Sequence, residues 1–245
     1  MKCGTNRQKQ SKPIAAALRR LYRSNAPGST YPFLMQLANA LHSDAVPEKE
    51  GLKILEVIES FLVRRAVCGH EPTGLHSVFK RLWVDCAGKL TGQKVEEVIR
   101  KHKTVTWPSS ADLRKAVMTR PMYGAAITQY FLEETNREAG GDQPSGAFWI
   151  EHVLPDRPSA AWSTEFKEDD HRRLKDVLAN LLPLTQEMNQ QLGNSSYSAK
   201  RPVYEADAGY KVTREFAKQH SLWNPAELEK RSAKLGDWAV SRWTT

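Results

Sequence analysis

The residues best suited to chemistry lie between Glu151 and Asn189. An apolar run, Phe148-Trp149-Ile150, is followed directly by Glu151 and His152, and Pro155 comes shortly after. A neutral imidazole such as that of His152 can act as a base near pH 7. The carboxylate of Glu151 and the side-chain carbonyl of Asn189 are hard oxygen donors, which Mg²⁺ and Mn²⁺ prefer. Together these residues could hydrolyse a phosphodiester.

Hydrolysis of a phosphodiester also requires that the reacting groups be held in line. Asn180 is a candidate for bracing the loop that carries His152. Neighbouring residues on a strand point to opposite faces of a sheet. Glu151 and His152 can therefore contact one phosphate only if the strand ends or bends there, and Pro155 indicates such an ending.

The segment around these residues predicts a ββα unit within residues 148–192. Its order is strand, loop, helical pattern, second strand and helix, over residues 147–153, 156–170, 171–178, 180–184 and 185–192. Aromatic and β-branched residues favour the first strand. The second strand is a short apolar run that Pro183 is expected to interrupt.

The first half of the chain predicts helices instead. Apolar residues recur at helical spacing around residues 54–62, 75–83, 94–102, 111–118 and 122–134. A glycine- and proline-rich stretch over residues 137–146 is then the best candidate for a linker. We therefore expect a helical module over residues 1–140 and an α+β domain over residues 141–245. Near the chain end, Asn224 and Pro225 predict the start of a last helix.

The charge of the chain is unevenly distributed. The net charge is +8, but residues 1–140 hold 22 Lys and Arg against 13 Asp and Glu, a net of +9. Residues 141–245 hold 14 against 15, a net of -1. Two interpretations stay open: a solvated basic surface, or an electrostatic attraction for phosphates that does not depend on base sequence.

Composition excludes several classes of protein. The mean hydropathy is -0.57, and no apolar run approaches the roughly 20 residues that span a bilayer. The polar, basic start of the chain does not resemble a secretory signal. Cys3, Cys68 and Cys86 form no CxxC pair, which argues against a zinc ribbon or a disulfide framework. We expect a cytoplasmic protein without a membrane partner.

Three stretches of the chain resemble the His-Asn-His (His-Me finger) nucleases, and in particular the C-terminal nuclease domain of GmrSD-type modification-dependent restriction endonucleases. These stretches are Glu151-His152-Val153-Leu154-Pro155, Leu178-Ala179-Asn180-Leu181 and Met188-Asn189-Gln190-Gln191-Leu192-Gly193-Asn194. The resemblance continues through Lys200, Tyr210, Trp223, Arg231 and Leu235. It also extends upstream, to Arg64-Arg65-Ala66-Val67-Cys68-Gly69, Thr73-Gly74-Leu75 and Phe79.

The resemblance implies a role for each candidate site residue. His152 would be the general base, Glu151 and Asn189 would bind one Mg²⁺ or Mn²⁺, and Asn180 would brace the loop of His152. Cleavage would leave a 5′-phosphate and a 3′-hydroxyl. The family often has histidine where this chain has Asn189, and that difference favours Mg²⁺ over Zn²⁺. Ala179 replaces a common glycine, and could make the turn before Asn180 less favourable.

The resemblance also implies a fold, a function and partners. The fold would be mainly α-helical with a small ββα-metal nuclease core, and the function would be DNA cleavage in restriction and anti-phage defence. Full-length members usually carry an N-terminal ParB-like sensor domain. We expect no such domain here, because nothing before Lys12 could form one, so a sensor would be a separate domain or subunit. Candidate DNA contacts are Lys200, Arg201, Arg231, Arg64 and Arg65.

Two other functions remain open at this point. The chain could be a non-catalytic DNA-binding or interaction module with a degenerate nuclease fold, which would bind DNA without nicking it. It could also be a helical protein adaptor, which would have no affinity for DNA. The sequence leaves open which DNA modification is recognised, any sequence preference and the oligomeric state.

Overall fold

A computed structural model describes residues 11–86 and 88–244, which form two compact units. The first unit contains the described residues up to Ser109 together with the chain end from Trp243. The second unit is Ser110–Arg242. The boundary therefore lies before the expected one at residues 140/141.

The described part of the first unit is helical. Its helices are α1 (Lys12–Arg23), α2 (Tyr31–His42), α3 (Glu48–Val67), α4 (Leu75–Asp85) and α5 (Gly92–Arg100). The long helix α3 lies at the centre, in contact with α1, α2 and α5. It buries Ile54, Ile58 and Phe61 completely. The three helices expected around residues 54–62, 75–83 and 94–102 are confirmed as α3, α4 and α5.

The second unit combines helices with two short strands. Its elements are α6 (Ser110–Thr119), α7 (Ile127–Glu138), β1 (Phe148–His152), α8 (Glu168–Leu174), β2 (Leu181–Thr185), α9 (Gln186–Leu192), α10 (Tyr197–Asp207), α11 (Lys211–Gln219) and α12 (Pro225–Arg242). A short 3-10 helix, Leu178–Asn180, leads into β2. The strand, loop, strand and helix order expected for residues 148–192 is present, in a chain that is otherwise mainly helical.

The glycine-rich stretch that was expected to be a linker is instead a hydrogen-bonded turn inside the second unit. The backbone N–H of Gly141 donates to the carbonyl of Asn136 (2.9 Å), and Nδ2 of Asn136 donates to the carbonyl of Asp142 (3.0 Å). Oδ1 of Asn136 accepts from the backbone N–H of Val212 at the start of α11 (3.1 Å). Because α6 packs on α12, and α7 on β2 and α11, both helices belong with the strands.

The two strands pair antiparallel, from Phe148 opposite Thr185 to His152 opposite Leu181. Pro183 does not interrupt β2; it lies opposite Ile150 within the pairing. The backbone N–H of Val153 donates to the carbonyl of Asn180 (3.0 Å). Since hydrogen-bonded and non-hydrogen-bonded pairs alternate along an antiparallel ladder, Pro183 occupies a non-hydrogen-bonded position. Its missing N–H therefore costs no bond to β1.

The sheet rests on a core that the helices complete. Val153 and Leu154 follow β1 and are fully buried, together with Leu182 and Leu184 of β2. Trp223, just before α12, is buried in the same cluster. The predicted start of α12 is confirmed, because Oδ1 of Asn224 accepts from the backbone N–H of Glu227 (3.0 Å).

Among residues 11–86 and 88–244, no helix is both long enough and apolar enough to span a membrane.

Candidate active site

The carboxylate of Glu151 is buried and fully engaged in hydrogen bonds. Only 3% of the residue is exposed. Its Oε1 accepts from Nζ of Lys200 (2.7 Å) and from the hydroxyl of Tyr204 (2.6 Å), both on α10. Its Oε2 accepts from Nδ2 of Asn189 on α9 (2.5 Å). The two residues expected to bind a metal, Glu151 and Asn189, are thus in direct contact.

Lys200 links the carboxylate of Glu151 to the main chain after it. Besides Glu151, its Nζ donates to the carbonyls of His152 (2.9 Å) and Val153 (3.3 Å). Burial raises the pKa of Glu151 and lowers the pKa of Lys200, while the contact between them opposes both shifts. Three oxygen acceptors surround the ammonium and two donors meet Oε1, so the ion pair is the form that satisfies every group.

His152 lies among a different set of side chains. Its Nε2 is 3.0 Å from Oδ1 of Asp176, and its ring packs against that of Tyr123, with centroids 4.1 Å apart and the planes tilted by 48°. Burial lowers the pKa of His152, and the hydrogen bond to Asp176 opposes that shift. We assign the proton to Nε2, which can then donate to Asp176 and leaves the Nδ1 lone pair available.

Glu151 and His152 thus point to opposite faces of β1, as expected for neighbours on a strand. Glu151 contacts α9 and α10, whereas His152 contacts Asp176 and Tyr123. The strand ends at His152, and up to that end the two side chains lie on opposite faces.

Asn180 connects the loop after β1 to three other parts of the chain. Its Oδ1 accepts from the backbone N–H of Leu154 (2.8 Å) and from Nε1 of Trp223 (3.1 Å). Its Nδ2 donates to the carbonyls of Leu154 (2.8 Å) and Lys175 (2.7 Å). The side chain is fully buried. This geometry suits the bracing role expected of Asn180.

Residues 107–238 match the family of the GmrSD restriction endonucleases, C-terminal domain. The chain belongs to that family. No curated protein matches it. The match covers both strands and Glu151, His152, Asn180 and Asn189, and confirms the resemblance there. The upstream part of the resemblance, Arg64 to Gly69, lies outside the matched range. Family membership gives this GmrSD C-terminal domain a restriction endonuclease type of function.

Most of the cations expected to contact DNA are buried. In the GmrSD C-terminal domain, Lys200 is fully enclosed with Glu151. Arg231 is buried, and its Nη1 donates to the carbonyls of Ala179 and Leu181. Arg201 is partly exposed, although its Nε donates to the carbonyl of Ala217 (2.9 Å). Lys200 and Arg231 are therefore unsuited to direct contacts with the backbone phosphates of duplex DNA, contrary to the expectation.

The arginine pair of the first unit is buried as well. Arg64 donates from Nε to the carbonyl of Trp243 (2.8 Å) and from Nη1 to that of Pro108 (3.1 Å). Arg65 donates from Nη1 to the carbonyl of Thr106 (2.7 Å). Both guanidinium groups hold main-chain carbonyls inside the fold. This corrects the suggestion that they contact DNA.

Three residues that contact Glu151 or His152 are not predicted by the sequence patterns. Tyr204 lies one helical turn after Lys200 on α10, a spacing that places both side chains on one face. Asp176 and Tyr123 are far from each other in sequence, and no spacing pattern pairs either of them with His152. Within residues 11–86 and 88–244, no group of three or more His, Cys, Asp or Glu is placed to hold a metal ion.

Proposed function

We propose that the second unit is a Mg²⁺-dependent endonuclease that nicks duplex DNA and acts in restriction and anti-phage defence in the cytoplasm. The supporting observation is the hydrogen bond between Glu151 and Asn189, with His152 following Glu151 at the end of β1 and paired with Asp176. Because the side chains of Glu151 and His152 lie on opposite faces of β1, a phosphate would have to meet both at the end of the strand. Membership of the GmrSD restriction endonuclease family supports the same conclusion.

The residues present fit one weakly held divalent cation. Glu151 and Asn189 each carry a side-chain oxygen that could bind such a cation, and the Nδ2–H of Asn189 donates to Oε2 of Glu151. Mg²⁺ commonly uses one or two carboxylates together with waters and substrate phosphates. A cation on Oε2 of Glu151 would compete with the hydrogen bond from Asn189. Oε1 would stay neutralised by Lys200. When bound, the cation would stabilise charge on the leaving oxygen.

His152 supplies the proton transfer in this proposal. Its neutral imidazole accepts a proton from the attacking water at Nδ1. Asp176 accepts the Nε2–H, holds the ring in one tautomer and stabilises the imidazolium that forms. Tyr123 packs against the ring and limits its rotation. Asn180 holds the loop that follows β1 and takes no part in the chemistry.

The attraction for DNA comes mainly from the other unit. Residues 110–242 hold 18 Lys and Arg against 19 Asp and Glu, so the excess positive charge of the chain lies in residues 1–109. Binding should therefore weaken steeply with salt, and that weakening should depend on the first unit. An N-terminal ParB-like sensor, as a separate domain or subunit, would add recognition of modified DNA.

The experiment is a plasmid-nicking assay with Mg²⁺ on His152→Ala, with His70→Ala as the matched control because His70 is exposed in the first unit. We expect His152→Ala to lose cleavage while its DNA affinity stays nearly intact, and His70→Ala to retain both. Cleavage by pure His152→Ala would refute the assignment of the base.

A second function is favoured by one observation. The carboxylate of Glu151 is buried, and its charge is already compensated by Lys200 without a metal ion. This arrangement also suits a DNA-binding module with a degenerate nuclease fold. Such a module would bind plasmid DNA without nicking it at any concentration of Mg²⁺ or Mn²⁺. The same assay therefore separates the two functions.

A further inference from the structure

A cavity of about 520 Å³ lies among α7, α11 and α12 of the second unit. Its main polar and aromatic lining residues are Glu138, Lys211, Phe216, Arg231, Lys234 and Trp238. None of Glu151, His152, Asn180 and Asn189 lines it. The cavity is thus distinct from the candidate active site, and its volume is in the range of small-molecule pockets.

Arg231 is a buried cation in the wall of this cavity. It is 8% exposed, and its Cζ lies 4.7 Å from the ring centroid of Phe216. Its Nη1 donates to the carbonyls of Ala179 and Leu181, and no described carboxylate forms an ion pair with the guanidinium. Burial lowers the pKa of Arg231 to about 9. Because a buried charge without a counter-ion is costly, an anion in the cavity would offset that cost.

Two lysines add to the positive charge at the cavity. Lys211 begins α11 and Lys234 lies on α12. Among the residues that the structure describes, neither lysine forms an ion pair. Of the acids there, Glu215 is already engaged by Lys218 (3.5 Å). Glu138 is exposed. Among the residues that line the cavity, the three cations therefore outnumber the two acids, and the most buried charged group is Arg231.

The rest of the lining suits a flat aromatic group. The half-buried Trp238 presents a ring, and Leu235 adds apolar surface. Phe216 is buried behind them, with the guanidinium of Arg231 over its ring. Aromatic side chains stack on nucleobases, and guanidinium and ammonium groups bind phosphate. We propose that this cavity binds a nucleoside monophosphate, with the base against Trp238 and the phosphate near Arg231, Lys211 and Lys234.

The proposal does not depend on nuclease activity, and the test measures binding directly. Isothermal titration calorimetry of the 245-residue chain would use deoxyadenosine 5′-monophosphate, with deoxyadenosine and inorganic phosphate as partial probes. We expect the nucleotide to bind more tightly than either part. Absence of saturable binding, or equal affinity for nucleotide and phosphate, would overturn the proposal, since the latter would indicate a site for a simple anion.

Variants locate the binding in the cavity. The double variant Lys211→Ala/Lys234→Ala should weaken nucleotide binding by about tenfold or more, because two charge-assisted contacts are lost. Trp238→Leu should weaken the nucleotide but not phosphate. Lys230→Ala is the matched control, since Lys230 lies on α12, pairs with Glu227 (2.6 Å) and does not line the cavity. Unchanged affinity in the double variant, with its circular dichroism intact, would place any binding elsewhere.

Discussion

Substitution of Asn180 by alanine tests how the site is held together. The substitution removes four side-chain hydrogen bonds, two with Leu154 and one each with Lys175 and Trp223. It leaves the backbone N–H of Leu154 and the indole N–H of Trp223 buried without their acceptor. The alanine side chain cannot replace either one.

The expected cost follows from these contacts. At about 1 kcal/mol net for each buried hydrogen bond, Asn180→Ala should lower the free energy of unfolding by about 3–5 kcal/mol. That is a large part of the roughly 5–15 kcal/mol that stabilises a typical domain. Because Leu154 follows His152 and Val153 directly, cleavage should fall together with stability.

Urea denaturation followed by tryptophan fluorescence measures this cost, because Trp223 reports on the same cluster. Asn194→Ala is the matched control, since Asn194 is exposed and its loss should change the free energy by no more than about 0.5 kcal/mol. If Asn180→Ala unfolds at the same urea concentration as the unsubstituted chain, the loop does not depend on this side chain and the reasoning fails.

Three further predictions concern charges. Lys200→Met should lower the free energy of unfolding by about 3–5 kcal/mol because it leaves the buried carboxylate of Glu151 uncompensated; the double variant with Glu151→Gln should recover much of this in urea denaturation, and additive losses would contradict it. Asp176→Asn should slow plasmid nicking by about 10–100-fold at unchanged DNA affinity, since the imidazolium of His152 loses its anionic partner. Burial lowers the pKa of His220 below its ordinary 6.5, so the unfolded chain takes up the proton first and stability should be present above about pH 6.5 and lost as the pH falls. Denaturation at pH 7.5 and 5.5 checks this, and His220→Gln should reduce the difference.

The local elements of the second unit could be predicted because their signals are local. Aromatic and β-branched residues predict β1, and the Asn224 cap predicts the start of α12. The long helix α10 was missed; it contains Pro202 in its interior, which normally argues against a helix. A local sequence pattern thus predicts an element correctly only where the intrinsic secondary-structure propensity agrees with the tertiary structure.

The burial of cations could not be predicted in the same way. Lys and Arg are rarely buried, so Lys200, Arg231 and Arg64 were interpreted as candidate contacts with DNA. Each is buried because main-chain carbonyls or a carboxylate from distant segments surround it. Asp176 was missed for the same reason, since its contact with His152 arises only when the loop between β1 and β2 folds back.

The hydrogen bonds of Arg64 bear on where a recombinant fragment of the first unit could end. The chain leaves the first unit after Ser109 and re-enters it at Trp243, and the Arg64 guanidinium donates to the carbonyl of Pro108 and to that of Trp243. A recombinant fragment that stopped at Ser109 would remove the carbonyl of Trp243, which also accepts from the buried hydroxyl of Ser60 (3.1 Å). The first unit is therefore discontinuous in sequence, and a soluble version would need the terminal residues fused back onto it through a linker.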